Sequence, residues 1–320
     1  MKKILITGIT GFAGSFLAEH LLKVHTDCEI HGTYLSESGH KNISSIADSI
    51  ILHQIDLTNA ELVKTLIEKI LPDEIYHLAA LPSPAASYDN PALFIHNNVD
   101  VELNILEAMR CAALTDTKIL IISSADVYGQ VSEEDLPIDE STPFRPLNPY
   151  AVSKVAQDML GLQYFLAHKL SVLRVRPFNH IGPRQSPDFV VSSFAKQIAT
   201  VEKATDAEKL IRVGNLEARR DFTDVRDMVR AYSIIMEKGV LGEVYNIGSA
   251  QSYKMQEILD RLLKMANTPI EALPDPTRMR PSDIKDIVAD SSKVNALGWT
   301  PEIPIETSVK DTLDYWRSII

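Results

Sequence analysis

Lys3-Ile4-Leu5-Ile6-Thr7-Gly8-Ile9-Thr10-Gly11-Phe12-Ala13-Gly14 is the stretch that decides the fold. The run from Lys3 to Thr7 is apolar and short, as a buried strand is, and Phe16, Leu17, His20, Leu21 and Leu22 then recur with a helical period. Between them stand three glycines, spaced G-x-x-G-x-x-G rather than G-x-G-x-x-G. Glycine allows a tight turn and a close approach of backbone to a phosphate. The start of a helix adds free N–H groups, so Gly8, Gly11, Phe12, Ala13 and Gly14 form a candidate pyrophosphate cradle. Strand, glycine turn and helix in this order predict an α/β fold of the Rossmann type, a doubly wound parallel sheet that binds a dinucleotide.

The alternation continues outward. Glu29 to Tyr34 predicts a second strand, followed by Thr33-Tyr34-Leu35-Ser36 where an acid would hold the ribose hydroxyls of NAD. Neither an acid nor an arginine stands there. Both NAD(H) and NADP(H) remain open, with NADP(H) slightly favoured because no carboxylate repels a 2′-phosphate. Residues 49–55 predict a third strand ending at Asp56-Leu57, where Asp56 is either an acceptor for the adenine amino group or an exposed turn residue. A helix is expected over 59–70 and a fourth strand over 74–80, entering a loop with Pro82 and Pro84. Leu78, Ala79 and Ala80 would let a flat cofactor lie close, while His77 reads as a satisfied core histidine. Residues 91–113 predict a long helix carrying Asn97 and the candidate cofactor contact Asn98.

Lys118-Ile119-Leu120-Ile121-Ile122 is almost continuously apolar, as in the middle of a parallel sheet. It delivers Ser123, Ser124 and Asp126 to the C-terminal edge, where open parallel sheets bind ligands. After a polar, proline-marked loop over 132–147 comes Asn148-Pro149-Tyr150-Ala151-Val152-Ser153-Lys154. Pro149 suits a first helical turn. Tyr150 and Lys154, four apart, share a helix face. An ammonium near a phenol favours the phenolate, which makes a proton donor usable near neutrality. Leu170 to Arg176 predicts a sixth strand, running into Pro177-Phe178-Asn179-His180-Ile181-Gly182-Pro183.

The chain has 320 residues, 45% of them hydrophobic, enough for two domains or one large domain with an annex. A net charge of −11 argues against a nucleic-acid partner. Cys28 and Cys111 make neither a disulfide framework nor a metal cluster, so no metal is expected. No run reaches the length of a membrane span, and the glycine-punctuated N-terminus is unlike a signal peptide. A cytoplasmic protein without a membrane association is expected.

Taken together, Gly8, Gly11, Gly14, the Ser-Ser-x-x-Val-Tyr-Gly strand end, Tyr150 and Lys154 resemble the extended short-chain dehydrogenase/reductase family. The resemblance implies a catalytic set of Ser124, Tyr150 and Lys154, with Tyr150 as acid/base, Lys154 lowering its pKa and holding the nicotinamide ribose, and Ser124 bonding the reacting oxygen. The stretches 176–183, 189–190, 213–227, 245–248 and 275–283 are similar to its nucleotide-sugar branch. That likeness implies a GDP-sugar substrate, held by Ser124, Asp126, Asn179, Phe189, Val190, Asn215, Arg220 and Arg280. Guanidinium groups suit a diphosphate because they meet its oxygens in pairs. Arg184 is a third loop arginine, ranked behind the other two.

The implied activity is NAD(P)H-dependent reduction of a 4-keto-6-deoxy sugar on GDP, giving GDP-D-rhamnose. The competitors are a 4,6-dehydratase, a 4-epimerase and a non-enzymatic dinucleotide binder. Dehydratases of the family carry Thr, then Asp or Ser, then Glu after the fifth strand. Here Ser124-Ala125-Asp126 lacks the middle polar group and shortens the acid. Residues 1–177 are expected to bind the cofactor. Residues 178–320 are expected to form mainly a smaller, mixed α/β substrate domain, with some segments returning to the first sheet. The resemblance also implies a homodimer pairing the Tyr150 helix with the helix over 91–113.

Overall fold

The structure is a computed structural model and describes residues 1–204, 208–279 and 285–320. β1 (Lys2–Thr7) leads through the glycine turn into α1 (Phe12–Val24). β2 (Cys28–Tyr34), β3 (Ile51–Gln54), α2 (Ala60–Ile70) and β4 (Glu74–His77) follow, then α3 (Pro84–Asp89), α4 (Pro91–Cys111), β5 (Lys118–Ile122), α5 (Pro149–His168) and β6 (Ser171–Pro177). The later chain holds β7 (Asn179–Ile181), α6 (Val190–Lys203), β8 (Leu210–Val213), β9 (Arg219–Asp224), α7 (Val225–Lys238) and β10 (Val244–Ile247). It ends with β11 (Ser252–Lys254), α8 (Met255–Lys264), β12 (Glu271–Pro274), α9 (Ser292–Asn295) and α10 (Ile305–Ile319).

The main sheet has seven parallel strands in the order β10-β6-β5-β4-β1-β2-β3. This is the doubly wound arrangement expected from the glycine turn. Alternate side chains feed two cores, one on each face. Ile4, Ile6 and Leu120 pack with α1 and α7, while Leu5, Ile119 and Ile121 pack with α2, α4 and α5. β10, from the second half, extends the sheet beside β6. The remaining strands form a three-stranded sheet, β11-β9-β7, and a pair, β12-β8, over a separate core with α6, α8 and α10. Among the described residues no helix is long and apolar enough to cross a membrane.

Several boundaries differ from the sequence reading. β4 ends at His77, so Leu78 to Ala80 already belong to the loop, and β3 is shorter than 49–55. The Pro82–Pro84 loop contains α3. Ser83 Oγ accepts the Ala86 N–H at 3.2 Å, and Pro84 sits in the first turn. Here a proline that suggested a loop marks a helix start. The same device opens α5, where Asn148 Oδ1 accepts the Ala151 N–H at 2.7 Å ahead of Pro149.

α5 is anchored to the sheet by buried charge. Asp158 accepts from Arg174 Nη1 at 2.6 Å and from Arg176 Nε at 2.7 Å. Arg176 also donates to Tyr128 Oη at 2.8 Å, and Tyr128 donates to Asn246 Oδ1 of β10 at 2.7 Å. This network fixes the helix that carries Tyr150 and Lys154.

Candidate active site

A cleft of about 1610 Å³ opens along the C-terminal edge of the main sheet and runs under β7, α6 and the 277–279 segment. On one side lies the glycine turn. Gly8 has φ +71°, a conformation that favours glycine, and a Cβ there would stand 3.1 Å from Ala79 Cα. A Cβ on Gly14 would stand 2.3 Å from the Gly8 carbonyl oxygen. At Gly8 and Gly14 this wall has no room for a side chain, and the first turn of α1 faces the cleft, as a pyrophosphate requires. Phe12, Ala13, Asp56, Leu57, Leu78, Ala79 and Ala80 line it as well. Asp56 Oδ1 is engaged by the Thr58 N–H and hydroxyl, at 2.9 and 2.7 Å.

His77 lies behind this wall, fully buried. Its Nδ1 meets Thr7 Oγ1 at 2.8 Å, and the same hydroxyl oxygen accepts the Ala79 N–H at 3.0 Å. Burial, and then the Lys154 charge, pushes its pKa down to about 3, so the ring is neutral. Nε2 has no partner. The core role expected for His77 thus describes one of its two ring nitrogens.

Asn98 is held by the protein itself. It is fully buried and stands behind the cleft, while its neighbour Asn97 lines it. Asn98 Oδ1 accepts the Leu81 N–H at 2.8 Å, and its Nδ2 donates to the Leu81 carbonyl at 3.2 Å and to Ser153 Oγ at 2.9 Å. It ties the loop after β4 to α5.

Ser124, Asp126, Tyr150 and Lys154 come together at the centre of the cleft. Lys154 Nζ donates to the Ile122 carbonyl at 2.8 Å and lies 6.0 Å from the centre of the Tyr150 ring. Burial pushes Lys154 down to about 8. Burial and the Asp126 charge outweigh any help that Lys154 gives the Tyr150 phenolate. Burial raises the phenol well above its ordinary value, the Asp126 charge raises it further, and the hydrogen bond with Ser124 works the other way. The physical reason is placement: the ammonium is turned to a strand-end carbonyl, and the phenol is out of water. Tyr150 is therefore held protonated.

The far wall is built from side chains. Asn179, Phe189, Val190, Asn215 and Arg220 all line the cleft, and Asn215 Oδ1 accepts the Glu217 N–H at 2.9 Å. Arg280 lies outside the described residues. Arg184 lines the cleft but is committed elsewhere, donating to Ser15 Oγ at 3.2 Å and Glu19 Oε1 at 2.7 Å over the Phe16 ring. Two cations were not anticipated, Lys196 and Arg278. A signal for the first exists: Ser193, Lys196, Gln197 and Thr200 are polar positions at helical spacing on α6, and all face the cleft. Arg278 follows the Asp275-Pro276 turn, which gives no hint of direction. Among the described residues no cluster of His, Cys, Asp or Glu could hold a metal.

A family model for GDP-mannose 4,6 dehydratase matches residues 5–312. The chain belongs to that family. Within it, the chain is 35% identical to the GDP-6-deoxy-D-mannose reductase of Pseudomonas aeruginosa, over 99% of this chain and 98% of that one. It is 28% identical to a GDP-mannose 4,6-dehydratase of Vibrio cholerae, over 95% and 91%. Among solved structures it resembles RMD from Pseudomonas aeruginosa complexed with NADPH, at 34% identity and a TM-score of 0.87, covering 100% of both chains. It also resembles the UDP-glucuronic acid 4-epimerase of Bacillus cereus in complex with UDP-glucuronic acid and NAD, at 27% identity and a TM-score of 0.89, covering 99% of this chain and 100% of the other.

Proposed function

We propose that the protein is an NAD(P)H-dependent nucleotide-sugar 4-ketoreductase that converts GDP-4-dehydro-6-deoxy-D-mannose to GDP-D-rhamnose. The observation that carries this reading is the buried, protonated Tyr150 in the same cleft as Ser124, with an Ala125 after it that offers no second polar group. Reduction of a ketone requires a proton donor. Dehydration requires, besides, a base and an acid on neighbouring carbons. The 35% identical relative is a GDP-6-deoxy-D-mannose reductase.

The glycine turn, with Asp56, Leu57, Leu78, Ala79 and Ala80, fits a dinucleotide, because its backbone is bare and closes against Ala79. When bound, NAD(P)H supplies the hydride for the sugar's carbonyl carbon. Tyr150 Oη gives its proton to the carbonyl oxygen as the alcohol forms. Ser124 holds that oxygen in line with the phenol. Lys154 keeps its ammonium near the phenolate left behind and stabilises it by charge. Arg220, Arg278 and Lys196 hold the diphosphate, Asn179 and Asp126 contact the sugar, and Phe189, Val190 and Asn215 wall the base. Arg280 belongs with the diphosphate group as a sequence-based assignment. Residues after 177 thus serve mainly the substrate.

A 4,6-dehydratase is the second reading, favoured by the family model and by Asp126 in the cleft. The deciding experiment follows NADPH absorbance with purified protein and fresh GDP-4-keto-6-deoxy-mannose, then repeats with NADH. Oxidation matched by a reduced sugar nucleotide supports the ketoreductase. Conversion of GDP-mannose to the keto sugar without added reductant would replace it with the dehydratase.

The protein is proposed to act in the cytoplasm as a homodimer. Val152, Met159 and Leu166 recur at heptad spacing on α5 and are exposed. Such a stripe suits a second copy of the chain. Met159→Lys should shift sedimentation from dimer to monomer; an unchanged dimer would place the interface elsewhere.

A further inference from the structure

α4 and α5 run side by side on one face of the main sheet, and two contacts fix their register. Asn98 Nδ2 donates to Ser153 Oγ at 2.9 Å, and farther along Tyr164 Oη donates to Glu107 Oε1 at 2.5 Å. One turn beyond Asn98, on the same face, stands Glu102; one turn beyond Ser153 stands Gln157. Glu102 is fully buried, and neither of its carboxyl oxygens has a close hydrogen-bond partner; Gln157 gives it at most a weak one. Gln157 is buried beside it with Oε1 likewise unpartnered. A buried carboxyl left this way is costly and calls for an explanation.

The charged surroundings of Glu102 narrow that explanation. α2, packed against α4, turns the apolar Val63, Leu66, Ile67 and Ile70 inward. From α5 come Lys154 and Asp158, and Asp158 is already held by Arg174 and Arg176 of β6. His77 of β4 is neutral. Lys154, whose ammonium donates to the neutral Ile122 carbonyl, is the charge left for Glu102 to answer.

We infer that Glu102 is a positioning residue that keeps Lys154 charged from behind α5, touching neither substrate nor cofactor. Burial pulls Lys154 down, and Glu102 is the group that pulls it back. In return, Lys154 opposes the burial that drives the Glu102 carboxyl up. The two titrate as a pair. The inference rests on the ketoreductase reading, in which Lys154 has to be an ammonium when Tyr150 releases its proton.

The test is Glu102→Gln, which keeps the shape and removes the charge. Lys154 is lost as an ammonium when pH rises through its pKa, so the alkaline limb of kcat should move to lower pH by about one unit, a roughly tenfold loss on that limb. KM for NADPH should stay unchanged, and Glu102→Asp should restore part of the shift. An active Glu102→Gln enzyme with an unmoved alkaline limb overturns the inference. A second measurement needs no turnover. The 13C signal of the Glu102 carboxyl, assigned by its loss in Glu102→Gln, should titrate at higher pH in Lys154→Met than in the wild type. Identical titrations overturn the inference. A wild-type protein with no keto-sugar-dependent NADPH oxidation would sink the ketoreductase reading instead, and the carboxyl titration would still decide the role of Glu102.

Discussion

The two walls of the cleft are built from different materials. The glycine wall is backbone: Gly8, Gly11 and Gly14 close against one another and against Ala79, with Thr7 and His77 bracing them from behind. The opposite wall is side chain: Arg220, Lys196 and Arg278 reach in from β9, α6 and the segment after β12. A backbone wall is set by local conformation and has almost no slack. A side-chain wall is assembled from distant stretches, and its members are graded in effect. The first kind suits a ligand part that never changes, such as a pyrophosphate; the second suits a part that sets specificity.

The largest effect should come where the walls meet. Tyr150→Phe removes the proton donor, and kcat should fall about 10²–10⁴-fold while NADPH affinity, measured by fluorescence titration, stays close to the wild type. Retained turnover would place the donor elsewhere. Next comes Gly14→Ala. Its methyl would stand 2.3 Å from the Gly8 carbonyl oxygen, so the turn must move. NADPH affinity should drop by on the order of a hundredfold, taking close backbone contacts to charged oxygens at about 1.5–3 kcal/mol each. A variant that binds normally would show that the backbone wall has slack after all. Arg278→Ala tests the other wall: KM for the nucleotide sugar should rise about tenfold, with NADPH binding untouched.

The last effect is on stability, and it separates the bracing from the wall. His77 has a folded pKa of about 3 against an ordinary 6.5. The unfolded chain therefore binds the proton first, and the contribution is complete above pH 6.5 and lost as pH falls toward 3. Urea unfolding should weaken by up to about 1.4 kcal/mol per pH unit in that window, and His77→Gln should flatten the slope. Equal slopes would mean that His77 is not the source of the pH dependence.

The same contrast explains what was legible in the sequence. Gly8, Gly11 and Gly14 announce their role because spacing alone dictates the turn, and the Lys118–Ile122 run announces a central strand. Tyr150 and Lys154 are readable as a pair because four residues make one helical turn. Their electrostatics are not readable, since burial and the Asp126 charge come from the packed surroundings. Asn98 and Asn97 are adjacent in sequence, yet the helix turns one inward and the other to the cleft. Arg184 and Arg278 look alike as loop arginines, but only the fold shows that the first is held at 2.7 Å by Glu19 and the second more loosely, at 3.7 Å, by Asp275.

β10 has a further consequence, for the order of assembly during synthesis. The strand that completes the main sheet beside β6 is made of residues 244–247. A nascent chain that has emerged only as far as β6 still lacks it. Until then the edge of β6 is an unpaired row of N–H and C=O groups, the kind of edge that recruits other chains. Arg176 and Tyr128 likewise wait for Asn246. The edge of β6 thus stays open from the synthesis of residue 177 until that of residues 244–247, and a split into two fragments after residue 177 would leave β6 without its β10 neighbour.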